Sequence, residues 1–354
     1  MTAEFRKFIL PFKKPLGTSR GVLHERETYI IALRDTQGHL GLGEAAPLKD
    51  LSMDCTDDFS EKLHQICREI NRGKNPLELE VSQWPAIQFG LEAAWLDLKQ
   101  GGAGLLYRTP FTQGKESIPL HGLVTMGEVQ SMYEQALQKI EQGFTWVKFK
   151  IGAHDFAEEC AMLSELRRRF PEVEIRLDAN GAFSPEEALE KLNYLAQFRI
   201  HSVEQPIKPG QWEAMASLCQ KSPIPMALDE ELIGIFEPAE KQELLQTIQP
   251  QFIVLKPTLL GGLKASEEWI ALAREDGIGF WVNSMLESNI GLNILAQWTS
   301  TLKIQMPQGL GTGRLFNKNF ELTVKIDNGH MAFLPEKLPR QLQSLEQLHL
   351  VDFS

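Results

Sequence analysis

Three carboxylates stand directly after short apolar runs in the second half of the chain. Asp178, Glu204 and Asp229 are 26 and 25 residues apart, which is the length of one β-strand with its following helix. If these runs are parallel strands of a barrel, their carboxyl ends share one rim and the three side chains converge there. An oxygen-only ligand set suits a hard cation such as Mg²⁺. The spacing therefore predicts a magnesium site.

Lysines accompany this acidic set. Lys148 and Lys150 alternate around Phe149, so both point to the same side of a strand. Lys256 ends another apolar run, 27 residues after Asp229, and in an eight-stranded ring its strand lies opposite that of Lys150. Ammonium groups on two sides of a substrate carboxylate can remove a proton and stabilise the resulting charge. The pattern predicts acid–base chemistry next to a carboxylate.

Each of these residues alone also has an ordinary structural explanation. A carboxylate after a strand often caps the next helix, but Ser184 already supplies a cap for the helix after Asp178. Six ionisable residues in phase with five consecutive strands are not explained in this way. His121 and His201 are expected in the barrel core or at its rim, and not as bases. Residues 309–313 are glycine-rich but lack a following helix start, so dinucleotide binding is not expected.

The elements that must position these residues are short strands that alternate with helices. From Ile118 onward this alternation indicates βα units and a parallel sheet. Eight such units fit a closed (β/α)8-type barrel better than an open sheet. The predicted strands span residues 119–124, 146–151, 174–178, 202–206, 225–229, 252–256, 279–283 and 303–306.

The first hundred residues have a different pattern. Residues 28–33 and 40–44 predict a hairpin, and residues 86–98 have the apolar spacing of a helix that stops at Gly101-Gly102. We therefore predict an α/β barrel protein with an α+β capping domain. The predicted divisions are a cap at 1–100, a connector at 101–117, the barrel at 118–313, and a segment at 314–354 that returns to the cap with a strand at 320–326.

Composition limits the classes of partner. The 354 residues carry a formal net charge of −11 without a basic cluster, so nucleic acid is not expected as a partner. No window approaches the ~18 apolar residues of a membrane span, and the N-terminus lacks an apolar signal stretch, so we predict a cytoplasmic protein without a membrane partner. The cysteines lack C-x-x-C spacing and are predicted to be reduced and structural. They are Cys55, Cys67, Cys160 and Cys219.

Together these motifs resemble the enolase superfamily, in its muconate-lactonising subgroup. The barrel motifs that carry the resemblance are residues 147–150, 177–180, 203–206, 229–230 and 255–257. The segments that resemble the capping domain and the last barrel loops are residues 15–21, 41–48, 283–288 and 310–313. The likeness covers nearly the whole chain and is nearest to the o-succinylbenzoate synthase family. It implies a modified (β/α)7β barrel with a capping domain.

The resemblance also implies a role for each site residue. Mg²⁺, for which Mn²⁺ could substitute, would be held by Asp178, Glu204 and Asp229 together with a carboxylate of a small-molecule substrate. Lys150 would be the base and then the acid, Lys148 would assist by like-charge repulsion, and Lys256 would stabilise the enolate. The other implied residues are Asn180 and Glu230 beside the metal ligands, and Arg20, Ser284, Ser288, Gly311 and Thr312 as binders of a succinyl group.

The reaction that the resemblance implies is the dehydration of 2-succinyl-6-hydroxy-2,4-cyclohexadiene-1-carboxylate to 2-succinylbenzoate in menaquinone biosynthesis. The alternatives are an N-succinylamino acid racemase, a dipeptide epimerase and a silent barrel that only binds a carboxylate. Related racemases carry Arg where this chain has Leu259, and related epimerases carry an Asp-x-Asp motif where it has residues 309–312. Both differences favour the dehydratase. The oligomeric state stays open.

Overall fold

The N-terminal part of the chain is an antiparallel sheet covered by helices. A computed structural model describes residues 1–339 and 341. The sheet has the order β1 (Thr2–Thr18), β2 (Gly21–Arg34) and β3 (Leu40–Ala45). The predicted hairpin is the β2–β3 pair, so this part of the prediction is confirmed. Asp35 holds its turn, because the carboxylate accepts hydrogen bonds from backbone N–H groups two and four residues later.

Two helices pack against this sheet, α1 (Phe59–Asn71) and α2 (Pro85–Lys99). The helix predicted at 86–98 is α2, and it ends where Gly101 and Gly102 adopt positive φ angles of 103° and 71°. Most of α2 is buried, because one side contacts the sheet and the other contacts barrel helices. The first hundred residues therefore pack on the barrel through α2.

The chain then passes through β4 (Ser117–Pro119) into a curled parallel sheet with helices between its strands. Its strands, each hydrogen-bonded to the next, are β5 (Gly122–Val124), β6 (Trp146–Lys150), β7 (Glu174–Asp178), β8 (Ser202–Glu204), β9 (Met226–Leu228), β10 (Phe252–Leu255) and β11 (Gly279–Val282). The helices are α3 (Val129–Glu141), α4 (Phe156–Arg169), α5 (Pro185–Leu195), α6 (Trp212–Lys221), α7 (Pro238–Ile248), α8 (Pro257–Leu260), α9 (Gly262–Glu275) and α10 (Asn289–Thr301).

This sheet confirms the predicted barrel class, and six of the predicted strands match β6 to β11 within two residues. The helix start predicted at Ser184 is also present, with a reciprocal pair of hydrogen bonds between Ser184 and Glu187. The Ser184 hydroxyl accepts from the Glu187 N–H, and the Glu187 carboxylate accepts from the Ser184 N–H. Local sequence signals therefore placed most of the barrel elements correctly.

Two strand predictions were wrong. Residues 303–306 form no strand; the barrel closes instead through single bridges from Gln308 to Leu120 and from Gly309 to Asn283. The alternation at 303–306 has another cause, because Ile304 and Met306 pack against the core from an irregular segment. The strand predicted at 119–124 is divided into β4 and β5, since β4 pairs with a strand outside the barrel.

That partner belongs to the C-terminal segment. The segment contains β12 (Val324–Asp327) and β13 (His330–Phe333), which form an antiparallel sheet in the order β12-β13-β4. The strand predicted at 320–326 therefore begins later than expected. Phe316 stacks on Phe12 of β1 with ring centroids 4.7 Å apart, so this segment contacts the N-terminal sheet. Residues 340 and 342–354 lie outside the described part, and the division of the chain into domains stays a prediction.

Two predictions from composition can be compared with the described residues. None of the helices in the described part has the length and apolar character needed to cross a membrane. All four cysteines are free of disulfide bonds. Burial raises the pKa of the Cys67 and Cys219 thiols to about 12, so neither is a thiolate at neutral pH.

Candidate active site

The predicted ionisable residues stand on adjacent strands at one rim of the barrel. The register pairs Lys150 at the end of β6 with Asp178 at the end of β7, and pairs Asp178 with Glu204 at the end of β8. Asp229 directly follows β9, and Lys256 directly follows β10. The rim position is the one where (β/α) barrels place catalytic groups, since loops of different strands meet there.

The lysine ammonium groups lie between the carboxylates. Lys148 Nζ is 2.9 Å from Asp178 Oδ2 and 2.6 Å from Glu204 Oε1. Lys150 Nζ is 3.2 Å from Asp178 Oδ2, and Lys256 Nζ contacts Asp229 Oδ2. The structure thus brings together the predicted lysines and carboxylates in one buried network.

Within this network, the pKa values of two carboxylates shift in opposite directions. Burial alone would raise the pKa of Asp178, but the ammonium groups of Lys148 and Lys150 hold it well below its usual range. Glu204 behaves in the opposite way, because burial and the neighbouring carboxylates of Asp178 and Asp229 raise its pKa well above the ordinary value. Asp178 and Glu204 therefore differ in the direction of their pKa shifts.

The donor chemistry of the rim fits a hard cation. All the acidic groups there offer oxygen, and Glu204 Oε2 and Glu230 Oε2 are buried without a hydrogen-bond partner. Among the described residues, however, no three acidic, histidine or cysteine side chains come together as a ready ligand set. The expected convergence of Asp178, Glu204 and Asp229 is incomplete in this structure, because lysine ammonium groups lie against the carboxylates.

Asn180 and Glu230 connect the rim to the N-terminal part of the chain. Asn180 Oδ1 accepts a hydrogen bond of 2.5 Å from Lys150 Nζ, and its amide Nδ2 donates to Glu230 Oε1 over 2.9 Å. The same Glu230 oxygen accepts a hydrogen bond from Arg20 Nη2 over 3.2 Å. Arg20 lies in the turn between β1 and β2. Burial and the neighbouring Asp229 carboxylate raise the pKa of Glu230.

A cavity opens above this network and encloses about 910 Å³ of space between atoms, including its opening to solvent. Polar and charged groups lie at its floor, and the N-terminal module supplies part of its walls. The predicted site residues that line it are Arg20, Lys148, Lys150, Asp178, Asn180, Glu230, Lys256, Ser284, Gly311 and Thr312.

Ser288 does not line this cavity, so its predicted contact with substrate is corrected. The side chain is buried and caps the N-terminus of α10, where its hydroxyl accepts from the Ile290 N–H. The same hydroxyl donates to Glu44 Oε2 over 2.5 Å, and the Ser288 N–H donates to Glu44 Oε1 over 2.8 Å. Residues 283–288 were predicted as a barrel loop, but Ser288 is the N-cap of the following helix, so its hydroxyl lies inward.

The apolar walls of the cavity were not predicted from the residue pattern. Leu16, Leu48 and Leu51 come from the N-terminal part, and Met285 and Leu286 come from the loop after β11. All but Leu51 lie inside segments that were recognised as motifs, and that position was the available signal. Apolar type alone could not separate them from core residues, since both kinds of position are leucine-rich.

His121 also lines the cavity, although it was predicted as a core or rim residue and not as a base. Its Nδ1 lies 2.9 Å from Arg176 Nη1 inside the barrel. Burial and the neighbouring Arg176 guanidinium lower the pKa of His121 well below its ordinary value, and the same two causes lower the pKa of His201 to about 4. Both imidazoles are accordingly neutral near pH 7.

Comparison with known proteins places this site in a family. A model described as "MenC, N-terminal domain" matches residues 1–98, and one described as "Enolase C-terminal domain-like" matches residues 131–338. The o-succinylbenzoate synthase of Desulfotalea psychrophila is 42% identical, over 93% of this chain and 98% of that protein. The chain belongs to the o-succinylbenzoate synthase family. This family lies within the enolase superfamily, as the barrel motifs indicated.

Solved structures agree with this family membership. The crystal structure of MenC from Desulfotalea psychrophila has a TM-score of 0.84 and 39% identity, and the match covers 94% of this chain and 99% of that one. An o-succinylbenzoate synthase from Thermosynechococcus elongatus, solved with magnesium in its active site, has a TM-score of 0.72 and 29% identity over 87% of this chain and 92% of that one. An L-Ala-D/L-Glu epimerase of Bacillus subtilis is 25% identical over 84% of each chain.

Proposed function

We propose that this chain dehydrates 2-succinyl-6-hydroxy-2,4-cyclohexadiene-1-carboxylate to 2-succinylbenzoate in menaquinone biosynthesis. The family membership supports the reaction class. The observation that carries the mechanism is the position of Lys150 and Lys256, on β6 and β10, with buried carboxylates between them. Ammonium groups so placed can act on two sides of a substrate carboxylate bound at the rim.

Asp178, Glu204 and Asp229 would hold Mg²⁺, and Mn²⁺ would substitute for it. When bound, the cation supplies a positive charge that stabilises the doubly negative carboxylate formed by proton removal. The orphaned oxygen of Glu204 and the magnesium in the Thermosynechococcus relative support this assignment. Lys148 bridges Asp178 and Glu204 and would keep the two carboxylates oriented.

Lys150 carries out both proton transfers in this proposal. As a free amine it takes the proton from the carbon next to the substrate carboxylate, and the electron pair of that C–H bond moves towards the carboxylate. The resulting ammonium then gives the proton to the departing hydroxyl group, so one water molecule leaves and the ring becomes aromatic. Asn180, whose carbonyl oxygen accepts from Lys150 Nζ, would orient the amine. Lys256 would stabilise the negative charge from the other side.

The remaining cavity residues would bind and enclose the substrate. Thr312 donates to Ser284 over 2.8 Å, and Ser284 donates to Glu287 over 2.6 Å, so these hydroxyls form a fixed polar edge. We propose that this edge, with the Gly311 backbone and Arg20, contacts the succinyl group. The leucines of the N-terminal part would cover the ring and exclude water. The partner is thus a small carboxylate, the expected location is the cytoplasm, and the oligomeric state stays open.

A racemase or epimerase is the second candidate, because Lys150 and Lys256 could also exchange protons on both faces of one carbon. The Bacillus subtilis relative carries such an activity in its name. Against this, the chain has Leu259 where related racemases carry Arg, and Leu259 is buried and lies outside the residues that line the cavity.

The test compares kcat/KM for the cyclohexadiene and for an N-succinylamino acid, using purified chain and Mg²⁺. We expect rapid formation of 2-succinylbenzoate and little racemisation. A larger kcat/KM for the N-succinylamino acid would reject the dehydratase. Deuterium from solvent entering both enantiomers at comparable rates, with the cyclohexadiene untouched, would reject it as well. The rim lysines would keep their assigned chemistry in either case.

A further inference from the structure

Gln205 directly follows Glu204 at the end of β8, and its side chain is fully buried. Its φ angle is 42°, which lies in the left-handed region that residues with a side chain seldom adopt. Such a backbone conformation persists where the surrounding contacts hold it in place. The hydrogen bonds of Gln205 therefore indicate what this residue is fixed for.

The backbone of Gln205 joins the strands on both sides of β8. Its N–H donates to the Ala227 carbonyl of β9 over 2.9 Å, and its carbonyl accepts from the Gly181 N–H over 2.7 Å. Gly181 lies in the loop after β7, three residues beyond Asp178. The strands β7, β8 and β9 are the ones that present the three carboxylates of the rim, so Gln205 contacts each of these elements.

The side chain of Gln205 holds the end of β9. Its Oε1 accepts from the backbone N–H groups of Asp229 and Glu231, both over 3.2 Å. Its Nε2 donates to the Ile207 carbonyl over 3.0 Å and to Glu231 Oε2 over 2.9 Å. All four hydrogen bonds that an amide group can make are thus present. One of them binds the backbone of Asp229, which is a carboxylate of the rim.

Glu231 determines which way the amide group of Gln205 faces. The Glu231 side chain is buried, and its Oε1 accepts from the Gly210 N–H over 2.7 Å in the loop after β8. A carboxylate accepts hydrogen bonds and does not donate them, so its other oxygen must face the NH₂ group of Gln205. The amide oxygen is therefore directed towards the backbone N–H of Asp229.

We propose that Gln205 is a positioning residue for the cation site, and that its amide group sets the distance between Glu204 and Asp229. This inference rests on the proposed function, in which both carboxylates hold Mg²⁺. Glu204 is joined to Gln205 by the chain itself, and Asp229 is joined to it by the hydrogen bond to the amide oxygen. Groups that orient metal ligands govern metal affinity without touching the metal.

The test measures the affinity for Mg²⁺ and not only turnover. Gln205→Met keeps a side chain of similar length and removes the amide group. Titration calorimetry with Mg²⁺ alone is expected to show binding about 10- to 100-fold weaker than in the unmodified chain, the usual effect of losing a group that orients a ligand. The Mg²⁺ concentration that gives half-maximal turnover should rise by a similar factor, and excess Mg²⁺ should restore most of kcat.

Gln205→Asn is the second variant, and it separates the side chain from the backbone conformation. Asparagine tolerates a left-handed φ angle, so the backbone at this position should be retained. Its amide group is one methylene short of the Asp229 N–H that Gln205 binds. We expect this variant to keep its fold and to bind Mg²⁺ more weakly than the unmodified chain.

Gln297 offers a matched control, because it is also a fully buried glutamine with four hydrogen bonds and does not line the catalytic cavity. Its partners are the N–H groups of Leu106 and Tyr107, the Gly104 carbonyl and Asn293 Oδ1. Gln297→Met should lower the free energy of unfolding and leave the affinity for Mg²⁺ unchanged. A purely structural role would make both glutamines behave alike.

Unchanged Mg²⁺ affinity in the folded Gln205 variants would overturn the inference, and so would an equal loss in Gln297→Met. An unmodified chain that binds no Mg²⁺ would overturn it together with the metal assignment. Failure of the proposed reaction alone is a different result. In that case the unmodified chain binds Mg²⁺ and the Gln205 variants bind it more weakly, but the cyclohexadiene is not converted.

Discussion

Two groups of buried carboxylates in this chain differ in the groups that donate hydrogen bonds to them. The rim group consists of Asp178, Glu204, Asp229 and Glu230, and its partners include lysine and arginine side chains. The interface group consists of Glu44, Glu92 and Asp97, which lie in the N-terminal part and accept hydrogen bonds from backbone N–H groups. Both groups are buried, so the difference lies in the donors and not in solvent access.

Two members of the interface group, Glu44 and Glu92, fasten the N-terminal part to the barrel, whereas Asp97 accepts from Leu42 of β3 and from Gly104 of the connector. Glu44 accepts from the backbone N–H groups of Ser288 and Gly291, at 2.8 and 2.7 Å, at the N-terminus of α10. Glu92 accepts from the N–H groups of Leu263 and Lys264, at 2.6 and 3.1 Å, at the N-terminus of α9. Helix N-termini have free N–H groups and a positive end of the helix dipole, so carboxylates satisfy both.

The comparison shows how similar burial can serve structure or chemistry. Backbone N–H groups are fixed and cannot transfer their protons, so the interface carboxylates hold two parts of the chain together. Lysine side chains can move and exchange protons, and the rim keeps two carboxylate oxygens without partners. We therefore expect changes at the rim to abolish activity with the fold intact, and changes at the interface to weaken the fold.

Removal of divalent metal should have the largest effect on the rim. Excess chelator is expected to reduce turnover of the cyclohexadiene below detection, because the orphaned oxygen of Glu204 then lacks its cation. Added Mg²⁺ or Mn²⁺ should restore the rate. Glu204→Gln should lower the affinity for Mg²⁺, measured by titration calorimetry. Full activity in chelator would contradict a metal site at the rim. The interface variants described below are controls that should retain metal binding.

Lys150→Ala should have the next largest effect. We expect kcat to fall by at least ~10² to 10⁴, the usual contribution of a positioned acid or base. Thermal unfolding should stay close to that of the unmodified chain, because Lys150 is a partly exposed cavity residue. Lys221→Ala, at an exposed position on α6, is the matched control. Turnover that survives Lys150→Ala would exclude Lys150 as the base.

Glu44→Gln should have the reverse effect to Lys150→Ala, because it should weaken the fold and leave kcat nearly unchanged. The amide group placed near the Ser288 hydroxyl and the Gly291 N–H would leave one of these donors without an acceptor. We expect the free energy of unfolding to fall by about 1–3 kcal/mol, with kcat per folded molecule nearly unchanged. Urea unfolding and steady-state kinetics measure the two effects. Glu25→Gln, exposed on β2, is the control. Lost kcat at full stability would contradict a fastening role.

Asp97 should show the smallest effect, as a pH dependence. Burial raises its pKa from 3.8 to about 6, although the N–H groups of Leu42 and Gly104 donate to it. Between these values the folded chain keeps a proton that the unfolded chain has lost, so stability falls as pH rises. The difference in free energy of unfolding, unmodified chain minus Asp97→Asn, should fall by ~1–3 kcal/mol from pH 4 to pH 7.

Urea unfolding at intervals of pH checks this prediction. Asp276→Asn, at an exposed position after α9, is the control and should show no such trend. A difference that stays constant or increases with pH would mean that backbone N–H groups fully offset the burial of Asp97. The interface carboxylates would then resemble ordinary exposed groups in their titration.

Much of the fold was predictable because it depends on local signals. The alternation of apolar strands with capped helices placed β6 to β11, and hairpin and helix signals placed β2, β3 and α2. Barrel closure was not local. The pattern at residues 303–306 looked like a strand, whereas the bridges form at Gln308 and Gly309, which pair with Leu120 just before β5 and with Asn283 just after β11.

The sequence by itself determined which residues meet at the rim. Strand period and the spacing of βα units are fixed by backbone geometry, so Lys150, Asp178 and Glu204 had to share one rim once the strands were parallel. Only the tertiary structure decided the use of Ser288 and Glu44. Their partners depend on how distant segments pack, and residue type and spacing carry no record of that packing.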